Sequence, residues 1–126
     1  MTKGLVLLAH GARDPHWRKP FDALADRVRA RCPAIEVRLA FLEIMEPDVH
    51  AAGAELVRAG CDTLVVIPVF LGEGGHVRRD VPALVEGLRQ RHPGVRITQS
   101  NAAGEDPRVL DALASFCLDA AEMTLG

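Results

Sequence analysis

GLVLLAHGARDP, residues 4–15, is an apolar run that delivers a histidine to its end and then breaks into glycine, charge and proline. Residues 4–9 are continuously apolar rather than alternating, which predicts a strand buried on both faces, as in a parallel sheet covered by helices. His10 would then emerge at the carboxyl end of that strand. A neutral imidazole can sit there for structural reasons alone, with one or two hydrogen bonds. A chemical role requires other reactive residues to arrive at the same place.

Working outward, strand and helix patterns alternate four times. Pro20 to Arg31 carries Phe21, Leu24, Ala25 and Val28 at helical spacing, opened by one proline and closed by Pro33. EVRLAFL (36–42) predicts a second strand, and Pro47 to Ala59 a second helix stopped by Gly60 in a left-handed cap. DTLVVIPVFL (62–71) is the most apolar and β-branched stretch and predicts a central strand, with Pro68 marking a bulge or strand end. Asp80 reads as the N-cap of a third helix ending near His92. VRITQ (95–99) predicts a fourth strand, and Asp106-Pro107 opens a helix to Met123 with Val109, Leu110, Leu113, Phe116 and Cys117 on one face. The alternation predicts an α/β fold: a single doubly wound domain over residues 1–126, with a four-stranded parallel sheet between helices.

Composition narrows the function. The chain has 126 residues, of which 48% are hydrophobic, enough for one domain with a core and too few for two. With 15 basic and 17 acidic residues the net charge is −2, which argues against a nucleic-acid-coating surface. Cys32, Cys61 and Cys117 are odd in number and far apart, a pattern that suits a reducing compartment better than a disulfide scaffold or a zinc knuckle. The apolar run after Lys3 is too short for a signal-peptide core or a membrane span. The expectation is a soluble cytoplasmic protein with neither nucleic-acid nor membrane partners.

In such a sheet, ligands bind outside the carboxyl ends of the strands, where strand order reverses. His10 follows the first strand, Glu43 the second (FLEIMEP) and His76 the third (FLGEGGH). A strand order of 2-1-3-4 would set His10 and His76 across the crevice, with Glu43 on the neighbouring rim. Two imidazoles and a carboxylate suit a divalent ion such as Co²⁺, Fe²⁺, Ni²⁺ or Zn²⁺, and the same groups accept protons near neutral pH. Arg13, Arg18 and Lys19 follow the first strand, and Arg78 and Arg79 follow His76. Cations on one edge of a slightly acidic protein point to a polycarboxylate or phosphate substrate.

AHGARDPHW, FLE and PVFLGEGGHVRRDVP, together with the length, resemble the short CbiX-type sirohydrochlorin chelatases. These belong to the class II chelatases, which insert a divalent metal into a tetrapyrrole without ATP. The resemblance implies that His10 and His76 are the catalytic metal-handling pair and that Glu43 assists them. Either histidine then holds the ion or accepts the inner N–H protons of the macrocycle. It further implies that the loop cations anchor the carboxylate rim of sirohydrochlorin, while Gly72, Gly74 and Gly75 let backbone approach the flat ring. Cobalt is the foremost metal, with iron and nickel as alternatives, and the metal substrate is the only cofactor implied. Larger class II chelatases have two lobes, so a single lobe resembles one half and is expected to pair as a homodimer. One departure is Ala12, where the family commonly carries serine, so a hydroxyl there is not essential to the chemistry.

Other readings compete. A metal or tetrapyrrole carrier would use the same pocket without turnover. A histidine-phosphatase-like enzyme also places His-Gly after its first strand, but its phosphate-binding arginine directly precedes the histidine, where this chain has Ala9. Taken one at a time, the loop cations read as solvated charge, and Glu43 as a helix-start acid close to Glu46. His16, His50 and His92 read as surface residues, and Trp17 as packing beside a helix start.

Overall fold

In a computed structural model, which describes residues 2–122, one parallel sheet is built from β1 (Lys3–Ala9), β2 (Glu36–Phe41), β3 (Thr63–Pro68) and β4 (Arg96–Gln99). The strand order is β2-β1-β3-β4, which meets the condition for a switch point between β1 and β3. Ala9 pairs with Phe41 and Leu8 with Pro68, which brings the three strands to their carboxyl ends almost level. Pro68 closes β3 instead of interrupting it, because a residue without an N–H fits the end of a ladder.

Successive side chains of β1 point to opposite faces, and both faces are covered. Val6 and Leu8 enter a core with Val49, Ala52 and Leu56 of α2 (Val49–Arg58) and Val81, Val85 and Leu88 of α3 (Gly75–Arg91). Leu7 and Ala9 face Ala25, Leu24 and Val28 of α1 (Lys19–Arg31). A 3₁₀ turn at Pro15–Arg18 precedes α1, and Asp14 caps it by accepting the His16 N–H at 2.9 Å. Trp17 packs on Phe21 with ring centroids 4.6 Å apart, the structural role read from the sequence.

Two expectations need correction. The second helix starts at Val49 rather than Pro47, because Asp48 supplies the cap by accepting the Ala51 N–H at 2.8 Å. The third helix begins at Gly75, so Asp80 is not its N-cap but lies a full turn inside it. Glycines have poor helix propensity, and a start at Asp80 would have put Pro82 in the favourable first turn, so local rules pointed the wrong way. The last helix, α4 (Pro107–Ala120), is capped by Asp106 as expected, but none of its residues is buried. Leu110, Leu113 and Phe116 are 50%, 39% and 69% exposed, so its apolar face has no partner among the described residues. Met123, read as the end of this helix, lies outside the described residues. No described helix is long and apolar enough to cross a membrane.

Candidate active site

The site is assembled by backbone before any side chain contributes. Beyond the paired strands, Leu42 N–H donates to Ala9 O at 2.9 Å and Glu43 N–H to His10 O at 3.1 Å, extending the ladder by two residues. Gly11 has φ +99°, and a Cβ at that position would run into the carbonyl of Glu43. Only glycine permits this conformation and this approach together. The loop carrying His10 is thereby held against the loop carrying Glu43. Ile44, the next residue, has φ 69°, a genuine outlier for a β-branched side chain. Strain of this kind persists where the surroundings impose it, and here it adjoins a candidate reactive carboxylate.

On the other side of the switch point, Val69 N–H donates to Leu8 O at 2.8 Å and continues β3 toward Phe70. The His10 ring stacks on the buried Phe70 ring at 4.1 Å between centroids and 27° between planes. The imidazole is exposed but oriented. His76, one residue into α3, has a side chain 84% exposed, and its Nε2 lies 3.0 Å from Asp80 Oδ2 one turn on. A carboxylate on one ring nitrogen fixes the tautomer and orients the ring. Sequence reasoning missed both supports. Phe70 was subsumed in an apolar strand, and Asp80 was assigned to capping, although the i, i+4 spacing from His76 was visible.

His10, Glu43 and His76 line one cavity of about 440 Å³, together with Leu42, His50, Val77, Asp80, Ala83 and Leu84. His50 is therefore not a surface residue: it is half-buried in this cavity, because the first turn of α2 packs against α3. His16 is exposed, and His92 is half-buried at the C-terminus of α3. Among the described residues, no three His, Cys, Asp or Glu side chains stand close enough to hold a metal ion together. The pocket thus presents donors without a ready-made coordination cage.

The basic residues divide. Arg13, Lys19, Arg78 and Arg79 are exposed, and Arg78 makes one long contact, 3.5 Å, to Glu73 O. Arg18 turns elsewhere: it pairs with Asp22 at 3.2 Å, lies 5.0 Å over the Phe41 ring, and lines a separate surface cavity with Arg38 and Glu46. Gly74 precedes α3 and Gly75 opens it. A Cβ at Gly72, Gly74 or Gly75 meets nothing within 4 Å, and none of them has a positive φ, so the fold itself does not require glycine there.

Residues 4–120 match the CbiX family model. The chain belongs to the CbiX family. It is 32% identical over 110 residues to a Sulfolobus acidocaldarius protein named sirohydrochlorin cobaltochelatase, covering 87% of this chain and 85% of that one. It is 25% identical over 113 residues to a Bacillus subtilis protein named sirohydrochlorin ferrochelatase, covering 90% of this chain but 43% of the longer one. Matches to several other curated relatives also span less than two thirds of their length. The solved structure of a CbiX protein from Marinobacter aquaeolei VT8 superposes with a TM-score of 0.84 at 31% identity, over 95% of this chain and 98% of that chain.

Proposed function

We propose that this CbiX protein is a sirohydrochlorin chelatase that inserts a divalent metal, cobalt or iron, into the macrocycle without ATP. The observation that carries the reading is the convergence of His10, Glu43 and His76 on one cavity at the switch point of a CbiX-family fold. The names of its relatives, cobaltochelatase and ferrochelatase, support the substrate and leave two metals in play. The histidines hold the incoming ion weakly or take up the inner N–H protons, and Glu43 assists either task. Metal insertion into sirohydrochlorin, followed by absorbance with Co²⁺, Fe²⁺ and Ni²⁺ in turn, tests the reading. Binding of both substrates without turnover would favour the carrier instead. The unpaired cysteines Cys32, Cys61 and Cys117 suit a reducing, cytoplasmic setting.

The rim of the macrocycle meets the exposed cations, with Arg78 and Arg79 at the head of α3 the best placed. Replacing both by Ala weakens sirohydrochlorin binding about tenfold at low salt while cobalt affinity is unchanged, because each exposed pair contributes modestly. The difference shrinks as ionic strength rises and the Debye length falls. Equal macrocycle dissociation constants at low salt would make these arginines ordinary solvated charges.

A second copy of the chain is the proposed occupant of the exposed α4 face. In the Bacillus relative the match covers under half of the chain, so that protein has length for a second lobe, a place that a second copy of this chain could take. Leu110, Leu113 and Phe116 supply the apolar surface for such a contact. Leu113→Asp with Phe116→Asp should convert a dimer into a monomer in sedimentation without lowering helix content, since neither side chain is buried in the single chain. A wild-type protein that sediments as a monomer at every working concentration would remove the argument.

A further inference from the structure

His50 is the one residue of the pocket with a sealed, unsatisfied nitrogen. Its Nδ1 is buried without a hydrogen-bond partner among the described residues. Leaving a buried polar atom unpaired is costly, and this one belongs to a residue lining the same cavity as His10, Glu43 and His76. The adjoining Cε1–Nε2 edge of the ring packs on Gly87 of α3, where a Cβ would lie 3.0 Å from Cε1 and 3.5 Å from Nε2. A side chain at 87 would press on that edge. Among the described residues only Nδ1 of this ring is sealed without a partner, which leaves Nε2 as the nitrogen open to proton exchange from the cavity that His50 lines.

Geometry separates the roles open to such a ring. His76 and Gly87 lie eleven residues apart on α3, about 16 Å of helix rise, so His50 does not share a coordination sphere with His76. A divalent ion needs several ligands, and no cluster of three is present among the described residues. A proton needs one nitrogen. Between the two histidines the α3 wall of the cavity is lined by Asp80, Ala83 and Leu84, with His10 and Glu43 opposite.

We propose that His50 is the proton outlet of the pocket, taking up through pocket water a proton displaced from the macrocycle and releasing it to bulk solvent. The proposal rests on the chelatase reading above. As the metal enters, an inner N–H bond breaks and its electron pair becomes the nitrogen–metal bond. The proton passes through water to Nε2, while Nδ1 keeps its own proton. Nε2 then returns the proton to solvent and restores the neutral ring, with nothing oxidised or reduced. Burial holds the His50 pKa below its ordinary value of 6.5, reinforced by Arg91 and His92 and opposed by Asp48. A depressed pKa speeds release, so the outlet does not fill.

The test compares wild type with His50→Gln and His50→Phe at saturating Co²⁺ and sirohydrochlorin in dilute buffer. A hindered pyridine base, too crowded to bind metal, is then added. The expected result is a kcat about tenfold lower in both variants, with KM for cobalt and macrocycle affinity unchanged and the rate largely restored by the base. Loss of a merely structural residue would not be rescued in this way. Variants as fast as wild type in dilute buffer, or slow variants indifferent to the base, overturn the proton outlet alone. Absence of insertion by wild type overturns the chelatase reading, and this one with it.

Discussion

His10→Ala and His76→Ala each give a folded protein whose metal insertion is slower by about a hundredfold or more. Removing a positioned acid–base or metal-handling group typically costs 10²–10⁴ in rate. The stability costs are smaller and differ between the two. His10 loses a stacking contact with Phe70, on the order of 1 kcal/mol, whereas His76 is 84% exposed and loses only its exposed pairing with Asp80. Melting temperature should therefore fall slightly for His10→Ala and hardly at all for His76→Ala. Near-normal turnover with an unchanged melting temperature would remove that residue from the catalytic set.

Gly11→Ala should be the most damaging substitution outside the side chains of the site, because it strikes the joint between the His10 and Glu43 loops. Gly60 provides the control. Both glycines have similar positive φ, +99° and +96°, so alanine at either suffers comparable backbone strain, about 1–3 kcal/mol. At Gly60 the added methyl group meets nothing within 4 Å, while at Gly11 it meets the Glu43 carbonyl. Gly60→Ala should therefore lower the melting temperature and leave insertion kinetics intact. Gly11→Ala should lower the melting temperature further and cut insertion more than tenfold by driving Glu43 from His10. If the two variants matched in both measurements, the close approach at Gly11 would have no catalytic meaning.

In the proposed reading, His10, Glu43 and His76 hold the ion only until the macrocycle takes it. A variant that tightened metal binding in this pocket would be expected to slow release into the macrocycle.

Much of this was legible along the chain, because the signals were local. An apolar run of strand length ending in His-Gly placed His10 at a carboxyl end, and the alternation of strands with helices implied the parallel sheet, while the strand order that sets the switch point came from the structure. Pro68 closed its strand and Gly60 took the left-handed cap, each for a reason carried by one residue type. Glu43 followed from the same placement at a strand end, whereas His76, expected after the third strand, sits in the first turn of α3. Contacts between distant segments were not legible. His50 reads as surface until α2 meets α3, and its cavity and its close contact with Gly87 exist only after that packing. Phe70 looks like any strand residue until its ring lies beneath His10, 60 positions away in sequence. The amphipathic pattern of α4 predicted an apolar face correctly but could not say whether this chain covers it. Periodicity and caps are properties of a few neighbouring residues, whereas burial, ring stacking and an unpaired nitrogen depend on which distant surfaces meet.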